Sequence, residues 1–196
     1  MNVFIVGATG MLGGRVGSLL AARGDEVRGL VRPTASAGAR EALATAGIVA
    51  VEGDLEQPAT LPAALVGTDV VVSTASSFPV DPRPDAIARV DRDGQLALVD
   101  AAEAAGVRRL VYVSFPPYDV AFPFQDAKRA VEARLRSARL EHVILQPGKF
   151  MDVWFSPPLG FDVAAGHVRL YGDGTAPTAW VAVDDVAEVA AQAVAS

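Results

Sequence analysis

The sequence predicts an α/β fold: a Rossmann-type, doubly wound parallel sheet with helices on both faces and a short substrate-side segment at its C-terminal end. Six short apolar runs, rich in Val, Ile and Leu, alternate with helical patterns over residues 1–148. Such runs are typical of parallel strands buried on both faces, and the repeated β-α-β order implies helical crossovers between them. A glycine-rich loop between the first strand and the first helix adds the pattern of a nucleotide-binding fold.

The first part of the chain predicts three strands and two helices. VFIVG (3–7) is a fully apolar strand, and residues 11–24 repeat leucine and valine at helical spacing before they stop at a glycine. EVRGLVR (26–32) is predicted as the second strand. Residues 37–47 form a helix that also ends in glycine, and IVAVEGD (48–54) is the third strand.

The middle of the chain continues the same alternation. A short helix around 58–66 leads to the strand DVVVST (69–74), and a longer helical pattern fits 84–105. The remaining predicted elements are the strand RRLVYVS (108–114), an amphipathic helix over 125–139 and the strand HVILQPG (142–148).

The last part of the chain has a different composition. Residues 149–180 hold several proline, glycine and aromatic residues without a long regular pattern. Residues 179–196 then predict a short strand and a closing helix that Asp184 or Asp185 caps. Because no linker or internal repeat interrupts the pattern, we expect a single domain over residues 1–196, as the length also suggests.

Composition argues against several classes of function. A net charge of −6 disfavours a nucleic-acid partner, which requires a basic face. The chain has no cysteine, and neither His142 nor His167 has a partner at ligand spacing, so we expect no metal site. No apolar run reaches the roughly 18 residues of a membrane span, and the N-terminus does not resemble a signal peptide. We therefore expect a cytoplasmic protein that does not bind membranes.

The loop VGATGMLGG places Gly7, Gly10 and Gly13 at G-x-x-G-x-x-G spacing, directly after a strand and at the start of a helix. This is the setting of a dinucleotide-binding site. The first glycine permits a sharp turn, the second permits the close approach of a pyrophosphate, and the third permits close packing of the helix on the sheet. The alternative is a tight turn that binds no ligand.

The phosphates and the ribose of such a cofactor require further donors. The hydroxyl of Thr9 and the free N–H groups of the helix N-terminus, at Met11 and Leu12, suit phosphate oxygens. A ribose 2′-hydroxyl usually meets an acidic residue after the second strand, but this chain has Arg32. An arginine suits a 2′-phosphate, and Arg15 could assist it, so the sequence favours NADP(H) over NAD(H). The alternative for Arg32 is a solvated charge at a strand end.

Small or polar residues end the other predicted strands. The carboxyl ends of parallel strands share one edge of the sheet, which is where ligands bind in doubly wound folds. Asp54 and Leu55 follow the third strand, where a carboxylate suits the adenine amino group. The other residues expected along this groove are Ser73, Thr74 and Ala75 after the fourth strand, Ser114 after the fifth, and Gln146, Pro147 and Gly148 beside the nicotinamide after the sixth.

Together these segments resemble the atypical short-chain dehydrogenase/reductases, and within them the NmrA-like and isoflavone-reductase-like NAD(P)-binding proteins. The resemblance spans nearly the whole chain and is fairly specific for the superfamily, but it is poor at naming a substrate. The segments that carry it are GATGMLGG, the arginine after the second strand, GDL (53–55), YVS (112–114), the helix with Lys128, LQPGKFMD (145–152) and VAVDDVAEVA (181–190).

The resemblance implies roles for individual residues. In the family the loop glycines bind pyrophosphate, the arginine favours NADPH, and the helix lysine reaches the nicotinamide ribose and can serve reductases as an acid or base. Here that lysine is Lys128, while Lys149 and Phe150 would border the nicotinamide. Typical members carry Tyr-x-x-x-Lys, but Phe124 stands at the tyrosine position and only Tyr118 lies nearby. Members usually continue beyond the last helix, so the substrate half is expected to be minimal or missing.

Three interpretations of Lys128 remain open. In the first, Lys128 binds the ribose. In the second, it also acts as a general acid, which requires a lowered pKa. In the third, it is a solvated lysine paired with Glu132 one turn along the helix. Ser114, Tyr118 and Lys128 would form a catalytic set if the loop folds back. The aromatic residues of the last segment, which either line an apolar substrate pocket or cover a core, are Trp154, Phe155 and Trp180.

Two main classes of function follow. The first is an NADPH-dependent oxidoreductase that transfers hydride to a small apolar acceptor, such as a quinone or an enone or carbonyl compound. The second is a non-catalytic NADP(H)-binding sensor that regulates a partner, which the missing tyrosine favours. A nucleotide-sugar epimerase or dehydratase is the third, and the missing tyrosine disfavours it. The oligomeric state is left open, with a homodimer as one form.

Overall fold

The structure is a computed structural model that describes residues 1–78 and 81–195. Its central feature is a six-stranded sheet in which every pair of neighbouring strands is parallel. The strands are β1 (Asn2–Val6), β2 (Glu26–Val31), β3 (Ile48–Glu52), β4 (Val70–Ser73), β5 (Arg109–Val113) and β6 (Glu141–Leu145). Their order is β3-β2-β1-β4-β5-β6. The predicted Rossmann-type α/β fold is confirmed.

Helices cover both faces of this sheet. One core lies under α1, α2 and α7, and the other lies under α3, α4 and α5. The helices, with the short α6 outside both cores, are α1 (Met11–Ala22), α2 (Ala37–Thr45), α3 (Leu61–Ala64), α4 (Gln95–Ala104), α5 (Pro123–Arg136), α6 (Met151–Trp154) and α7 (Val183–Ala195). The strand order reverses between β1 and β4, so the crevice of a doubly wound sheet opens there. In the described part of the chain, no helix combines the length and the apolar character needed to cross a bilayer.

Two predicted helices take a different form from the one expected. The helix predicted over 58–66 is a single 3-10 turn, Pro58–Thr60, followed by the one-turn α3. The helix predicted over 84–105 begins as a π-helical segment, Ile87–Gly94, and continues as α4. Gly94 lies so close to the loop after β3 that an added Cβ would stand 2.7 Å from the Leu55 carbonyl oxygen. The sequence period alone does not distinguish a π turn from an α turn.

The segment after β6 consists of short pieces, as its irregular composition predicted. β7 (Lys149–Phe150) pairs in parallel with β10 (Trp180–Val181) beside the main sheet. Between them lie a 3-10 turn, Pro157–Leu159, and a two-stranded antiparallel ribbon of β8 (Phe161–Asp162) and β9 (His167–Val168).

The start of α7 differs from the prediction. Asp184 and Asp185 lie inside its first turn, and the backbone N–H of Val183 donates instead to Asp152 Oδ2 at 2.8 Å. The expectation that Asp184 or Asp185 caps this helix is therefore wrong, because the carboxylate that accepts this N–H comes from α6. The two aspartates still suit the positive end of the helix dipole. The last residue of the predicted helix, 196, lies outside the described residues.

The packing of α1 against the first loop gives a direct test of the fold. An added Cβ at Gly13 would lie 2.2 Å from the Gly7 carbonyl oxygen, whereas one at Gly14 would meet only Ala8 O at 3.4 Å. We expect Gly13→Ala to lower the free energy of unfolding by about 2–3 kcal/mol through overpacking. Gly14→Ala should be neutral or slightly stabilising, because alanine favours a helix over glycine by about 1 kcal/mol. Urea unfolding measures both, and equal losses would contradict the close approach.

Candidate functional site

The glycine loop is in backbone contact with the end of β4. Gly7 adopts φ 93°, in the left-handed region that favours glycine. An added Cβ there would stand 2.7 Å from both Ala75 N and Thr74 Oγ1. Gly10 N donates to Gly7 O at 2.9 Å and closes the turn. The loop therefore curves tightly around the crevice, and no side chain could be accommodated at position 7.

The N-terminus of α1 is open to a ligand. Gly10 is its N-cap residue and offers no side chain to the N–H groups of the first turn. Thr9, Gly10 and Met11 are exposed, whereas the side chain of Leu12 packs into the core. Uncapped N–H groups and the positive end of a helix dipole together suit a phosphate group. The glycine cradle thus has a geometry that suits a pyrophosphate, and cofactor binding at these glycines stays a prediction.

Two arginines near this loop differ in their partners. Arg32 follows β2 and is exposed, and within residues 1–78 and 81–195 no ion pair holds its guanidinium. Arg15 in α1 instead pairs with Asp184 in α7. Arg32 is therefore the guanidinium available at the end of β2, while Arg15 connects two helices.

The residues after β3 are largely occupied by their own loop. Asp54 Oδ1 accepts the N–H of Glu56 at 3.0 Å, and the backbone N–H of Asp54 donates to Thr60 Oγ1 at 3.0 Å. The side chain of Leu55 is buried in the core under α3 and α4. The Asp54 carbonyl accepts the N–H of Gln57 at 2.9 Å, so only one carboxylate oxygen of Asp54 makes no hydrogen bond to a described residue.

At the end of β4 the structure separates the three predicted residues. The Ser73 hydroxyl is fully buried and donates to Gln95 Oε1 at 2.8 Å, so it supports α4 from inside. Thr74 Oγ1 donates to Val6 O at 3.3 Å, next to the glycine loop. Ala75 lies against Gly7. The rim of the crevice is therefore formed by Thr74 and Ala75 rather than by Ser73.

Lys128 lies in the interior, at the carboxyl ends of β4 and β5. Its side chain is only 4% exposed, and its Nζ stands 3.7 Å from Asp91 Oδ1 and donates to Val113 O at 3.4 Å. The rings of Tyr112 and Phe124 lie 5.0 Å and 5.3 Å from the same nitrogen. The interpretation of Lys128 as a solvated surface lysine is wrong, because α5 turns this residue toward the sheet.

Glu132 has a different role from the expected partner of Lys128. It is buried, and it accepts hydrogen bonds from Ser114 Oγ at 2.7 Å and Gln146 Nε2 at 3.0 Å. It also pairs with Arg129 and Arg136, each at 2.9 Å. Burial raises the pKa of Glu132, but these hydrogen bonds outweigh it and hold the pKa below its ordinary value. Glu132 thus connects the ends of β5 and β6 to α5.

The protonation of Lys128 is set by opposing effects. Burial lowers its pKa from 10.5 to about 8, and the charge of Asp91 partly offsets that effect. A lysine with such a pKa keeps its proton at neutral pH and can still release it to a reacting group. Asp91 was missed by the sequence analysis. In the sequence, Asp91 is distinguished only by its place close to two apolar residues in a helical segment.

A cluster of aromatic rings lies above Lys128. Phe115 and Phe124 are stacked with centroids 5.3 Å apart, and Phe78 lies 5.0 Å from Phe124. Tyr118 lies 5.9 Å from Phe115 and is 47% exposed. The Tyr118 hydroxyl makes no hydrogen bond to any described residue. The side chain of Gln125 binds the Tyr118 backbone instead. The cluster gives this end of the crevice an apolar surface.

The predicted set of Ser114, Tyr118 and Lys128 is only partly brought together. Ser114 and Lys128 lie at the same end of β5, but their polar atoms bind Glu132 and Asp91 respectively. The loop holds Tyr118 against the Phe115 ring instead of folding it back onto the lysine. Ser114 and Lys128 are therefore held by buried carboxylates, whereas Tyr118 lies exposed beside Phe115.

A second aromatic group follows β6. Lys149 Nζ lies 5.5 Å from the Trp154 ring and 5.7 Å from the Trp180 ring. Phe155 contacts Trp180 at 4.7 Å, and these two residues are 45% and 40% exposed. Of the two alternatives for these aromatics, a covered core is wrong for Phe155 and Trp180. They form an open aromatic wall beyond Pro147 and Gly148.

The groove beside α1 leads away from this crevice. A groove of about 700 Å³ begins at Thr9 and Gly10 and runs between α1, α2 and α7 as far as Ile48. Ile48 begins β3, so the groove ends at the amino edge of the sheet. The residues with ligand-binding geometry lie instead along the carboxyl edge. Among the described residues, no three histidine or acidic side chains are grouped as metal ligands.

Comparison with protein families matches nearly the whole chain to one of them. The model of a family described as NAD(P)H-binding matches residues 7–196. Among curated proteins, photosystem II assembly factor Ycf39 of Trieres chinensis is 32% identical over 152 residues, which is 76% of this chain and 46% of that protein. NAD(P)H azoreductase of Xenophilus azovorans is 31% identical over 199 residues, or 97% of this chain and 62% of that protein.

Solved structures share the same fold. The structure described as AtPrR2 with NADP+ and (+)pinoresinol superimposes with a TM-score of 0.75 at 28% identity, covering 100% of this chain and 66% of the other. The chain therefore spans only part of these proteins, and about half the length of the curated relatives it matches.

The buried Glu132 predicts a distinctive acid response. We expect Glu132→Gln to lower the free energy of unfolding at pH 7 by about 2–3 kcal/mol, because Arg129 and Arg136 lose their shared carboxylate. Since the pKa of Glu132 is lower when folded than its ordinary 4.5, its contribution is present above that pH and is lost as the pH falls through the folded pKa. The difference between the two proteins should shrink below about pH 4.5.

The control for this test is Glu188→Gln, which removes an exposed partner of Arg23 and should change stability by less than about 0.5 kcal/mol. Chemical denaturation at several pH values measures both. A difference between wild type and Glu132→Gln that stays constant from pH 7 to pH 3 would show that the Glu132 charge does not stabilise the fold.

Proposed function

Since this chain belongs to the NAD(P)H-binding family, we propose that it is an NADPH-dependent oxidoreductase that transfers hydride to a small apolar acceptor. A quinone or an enone or carbonyl compound fits this description. The observation that carries the proposal is the presence of two features on the carboxyl edge of one sheet: the uncapped N-terminus of α1 beside β1, and the buried ammonium of Lys128 beneath aromatic rings at the ends of β4 and β5. The azoreductase relative supports a reductive activity.

The cofactor would lie along the carboxyl edge of the sheet. In this proposal the pyrophosphate meets the uncapped N-terminus of α1, and Arg32 takes the 2′-phosphate, which favours NADP(H) over NAD(H). Asp54 and the backbone of Leu55 border the adenine. The remaining contacts are assigned to Gly7, Thr9, Gly10, Met11, Leu12 and Gly13 in the loop, to Thr74 and Ala75 after β4, and to Gln146, Pro147 and Gly148 after β6. Ser73, which is fully buried, supports this edge from inside and makes no contact with the cofactor.

Lys128 would orient the reaction. NADPH supplies the hydride when bound, and the Lys128 ammonium binds the ribose hydroxyls next to the nicotinamide. Reduction of a quinone to a hydroquinone takes up one hydride and one proton. Because the pKa of Lys128 is about 8, Lys128 can deliver that proton to the reduced oxygen and take up another proton from solvent.

The apolar surface above Lys128 suits a planar acceptor. Phe78, Phe115 and Phe124 present ring faces and edges, which pack well against another flat ring. Phe124 stands where related reductases carry a tyrosine, so this position offers no hydroxyl to a carbonyl next to Lys128. That property favours acceptors that need orientation by stacking more than by hydrogen bonds.

A second function, a non-catalytic NADP(H)-binding sensor, is favoured by two observations. Phe124 lacks the proton-donating hydroxyl, and the Tyr118 hydroxyl has no hydrogen bond in the described residues. Relatives with 32% identity are named as assembly factors rather than as enzymes. Under this alternative the same crevice binds the cofactor, and the aromatic wall of Phe155 and Trp180 meets a partner. In either case we propose a cytoplasmic protein, with a homodimer left open.

The preference for NADPH depends on Arg32. We expect Arg32→Ala to weaken NADPH binding by about 10- to 100-fold, the loss expected when a charge-assisted contact worth about 1.5–3 kcal/mol is removed. NADH binding should change less than about threefold, because NADH has no 2′-phosphate. Nicotinamide fluorescence titrations measure all four affinities, with Arg23→Ala, at the far end of α1, as the control. Equal effects of Arg32→Ala on both cofactors would refute the 2′-phosphate contact.

Kinetics of a Lys128 variant separate the enzyme from the sensor. For an enzyme, we expect Lys128→Met to lower kcat with a quinone by about 100-fold or more, because proton transfer by a positioned group contributes that much. NADPH affinity should fall by a smaller factor. A wild-type protein that binds NADPH but oxidises it with no quinone, enone or azo acceptor would support the sensor. Circular dichroism checks that the variant is folded.

A further inference from the structure

The π-helical segment Ile87–Gly94 carries the one buried acidic residue between β4 and α4 in the described structure. Gly94 has no Cβ, so the segment packs directly on Leu55. A π turn is wider than an α turn and often occurs at functional sites. Here it places Asp91 at 0% exposure, between the loop after β4 and helix α5.

The two oxygens of Asp91 have different surroundings. Oδ2 accepts hydrogen bonds from the backbone N–H and the hydroxyl of Ser77, just beyond the end of β4. Oδ1 accepts no hydrogen bond from any residue that the structure describes, and it faces Lys128 Nζ at 3.7 Å. One oxygen is therefore fixed to the rim of the crevice, and the other is aimed at the ammonium.

We propose that Asp91 is a positioning residue that holds the ammonium of Lys128 beneath the rim of the crevice and keeps it charged for contact with the bound cofactor. The part of this inference that concerns the cofactor rests on the proposed function. The ion pair itself does not.

The charges around Lys128 support this role for Asp91. Glu132, on the same helix, is already paired with Arg129 and Arg136. Burial and the charge of Arg129 favour the neutral amine, whereas Asp91 and, more weakly, Glu132 favour the ammonium. From β5 the neighbours are the Val113 carbonyl and the Tyr112 ring, whose hydroxyl has its pKa raised by burial and stays neutral. Asp91 is thus the carboxylate that compensates the buried charge.

A direct test measures the titration of Lys128 without any cofactor. The chain has only two lysines, Lys128 and Lys149, so protein labelled with isotopic lysine gives two side-chain signals by NMR. Lys149→Arg assigns them. We expect the Lys128 signal to titrate near pH 8 in the wild type, and Asp91→Asn to move that midpoint down by about one unit or more, because the buried opposite charge is lost.

The matched control for this titration is Asp93→Asn. Asp93 lies in the same π-helical segment, but its side chain is 58% exposed and pairs with the neighbouring Arg92. We expect this variant to leave the Lys128 midpoint unchanged. A midpoint that stays in place or rises in Asp91→Asn overturns the proposal.

A second readout is the pH dependence of NADPH binding. In the wild type, affinity should be constant below about pH 8 and decrease above it, as Lys128 loses its proton. In Asp91→Asn the decrease should begin at lower pH, and a purely structural role of Asp91 would instead weaken binding equally at every pH. If the wild type binds no NADPH, the proposed function fails while the lysine titration still decides whether Asp91 holds Lys128.

A pair of variants keeps the test valid if Asp91→Asn does not fold. Lys128→Met and the double variant Asp91→Asn/Lys128→Met both lack the ammonium, and the double variant also lacks the unpaired buried carboxylate. If Asp91 acts through Lys128, the two should bind NADPH within about twofold of each other. A further tenfold loss in the double variant would show that Asp91 acts independently and would overturn the proposal.

Discussion

The contact between the backbone of α1 and the backbone of the first loop is the constraint on which the rest of the structure depends. A Cβ at Gly13 or at Gly7 would lie within 2.7 Å of backbone or side-chain atoms, so a side chain at either position would force these atoms apart. The contact sets the N-terminus of α1 over the end of β1 and beside Thr74. If α1 were displaced, its uncapped N–H groups would not face the crevice beside β1, where the strand order reverses. The crevice would then lack a phosphate site.

A layer of buried polar groups beneath the rim supports the other end of the crevice. Glu132 connects β5, β6 and α5, and Asp91 connects the end of β4 to Lys128. Buried ion pairs of this kind seldom add net stability, because desolvation offsets much of the attraction between the charges. Their value here is placement, since each fixes a charged atom at a strand end. Because Asp91, Lys128 and Glu132 are buried, the low local dielectric strengthens the interactions between their charges.

The sequence predicted the sheet and the position of the glycine loop because both follow from local patterns of apolar residues and glycines. The apolar runs gave six strands, and the glycine loop was recognised from its place between β1 and α1. The partners inside the site were not predictable in this way. Asp91 meets Lys128, and Asp152 caps α7, across several elements. The π turn that turns Asp91 inward has no distinct sequence period. The i+4 spacing suggested that Glu132 pairs with Lys128, but in the fold Glu132 pairs with Arg129 and Arg136.

A crystal structure of the protein with NADPH tests the central claim most directly, which is that one crevice joins the N-terminus of α1 to Lys128. The account predicts the pyrophosphate over Gly10, the 2′-phosphate against Arg32, and a nicotinamide ribose hydroxyl within hydrogen-bond distance of Lys128 Nζ, with Asp91 still facing that nitrogen. A cofactor bound in the groove between α1, α2 and α7, or a ribose that makes no contact with Lys128, would contradict it.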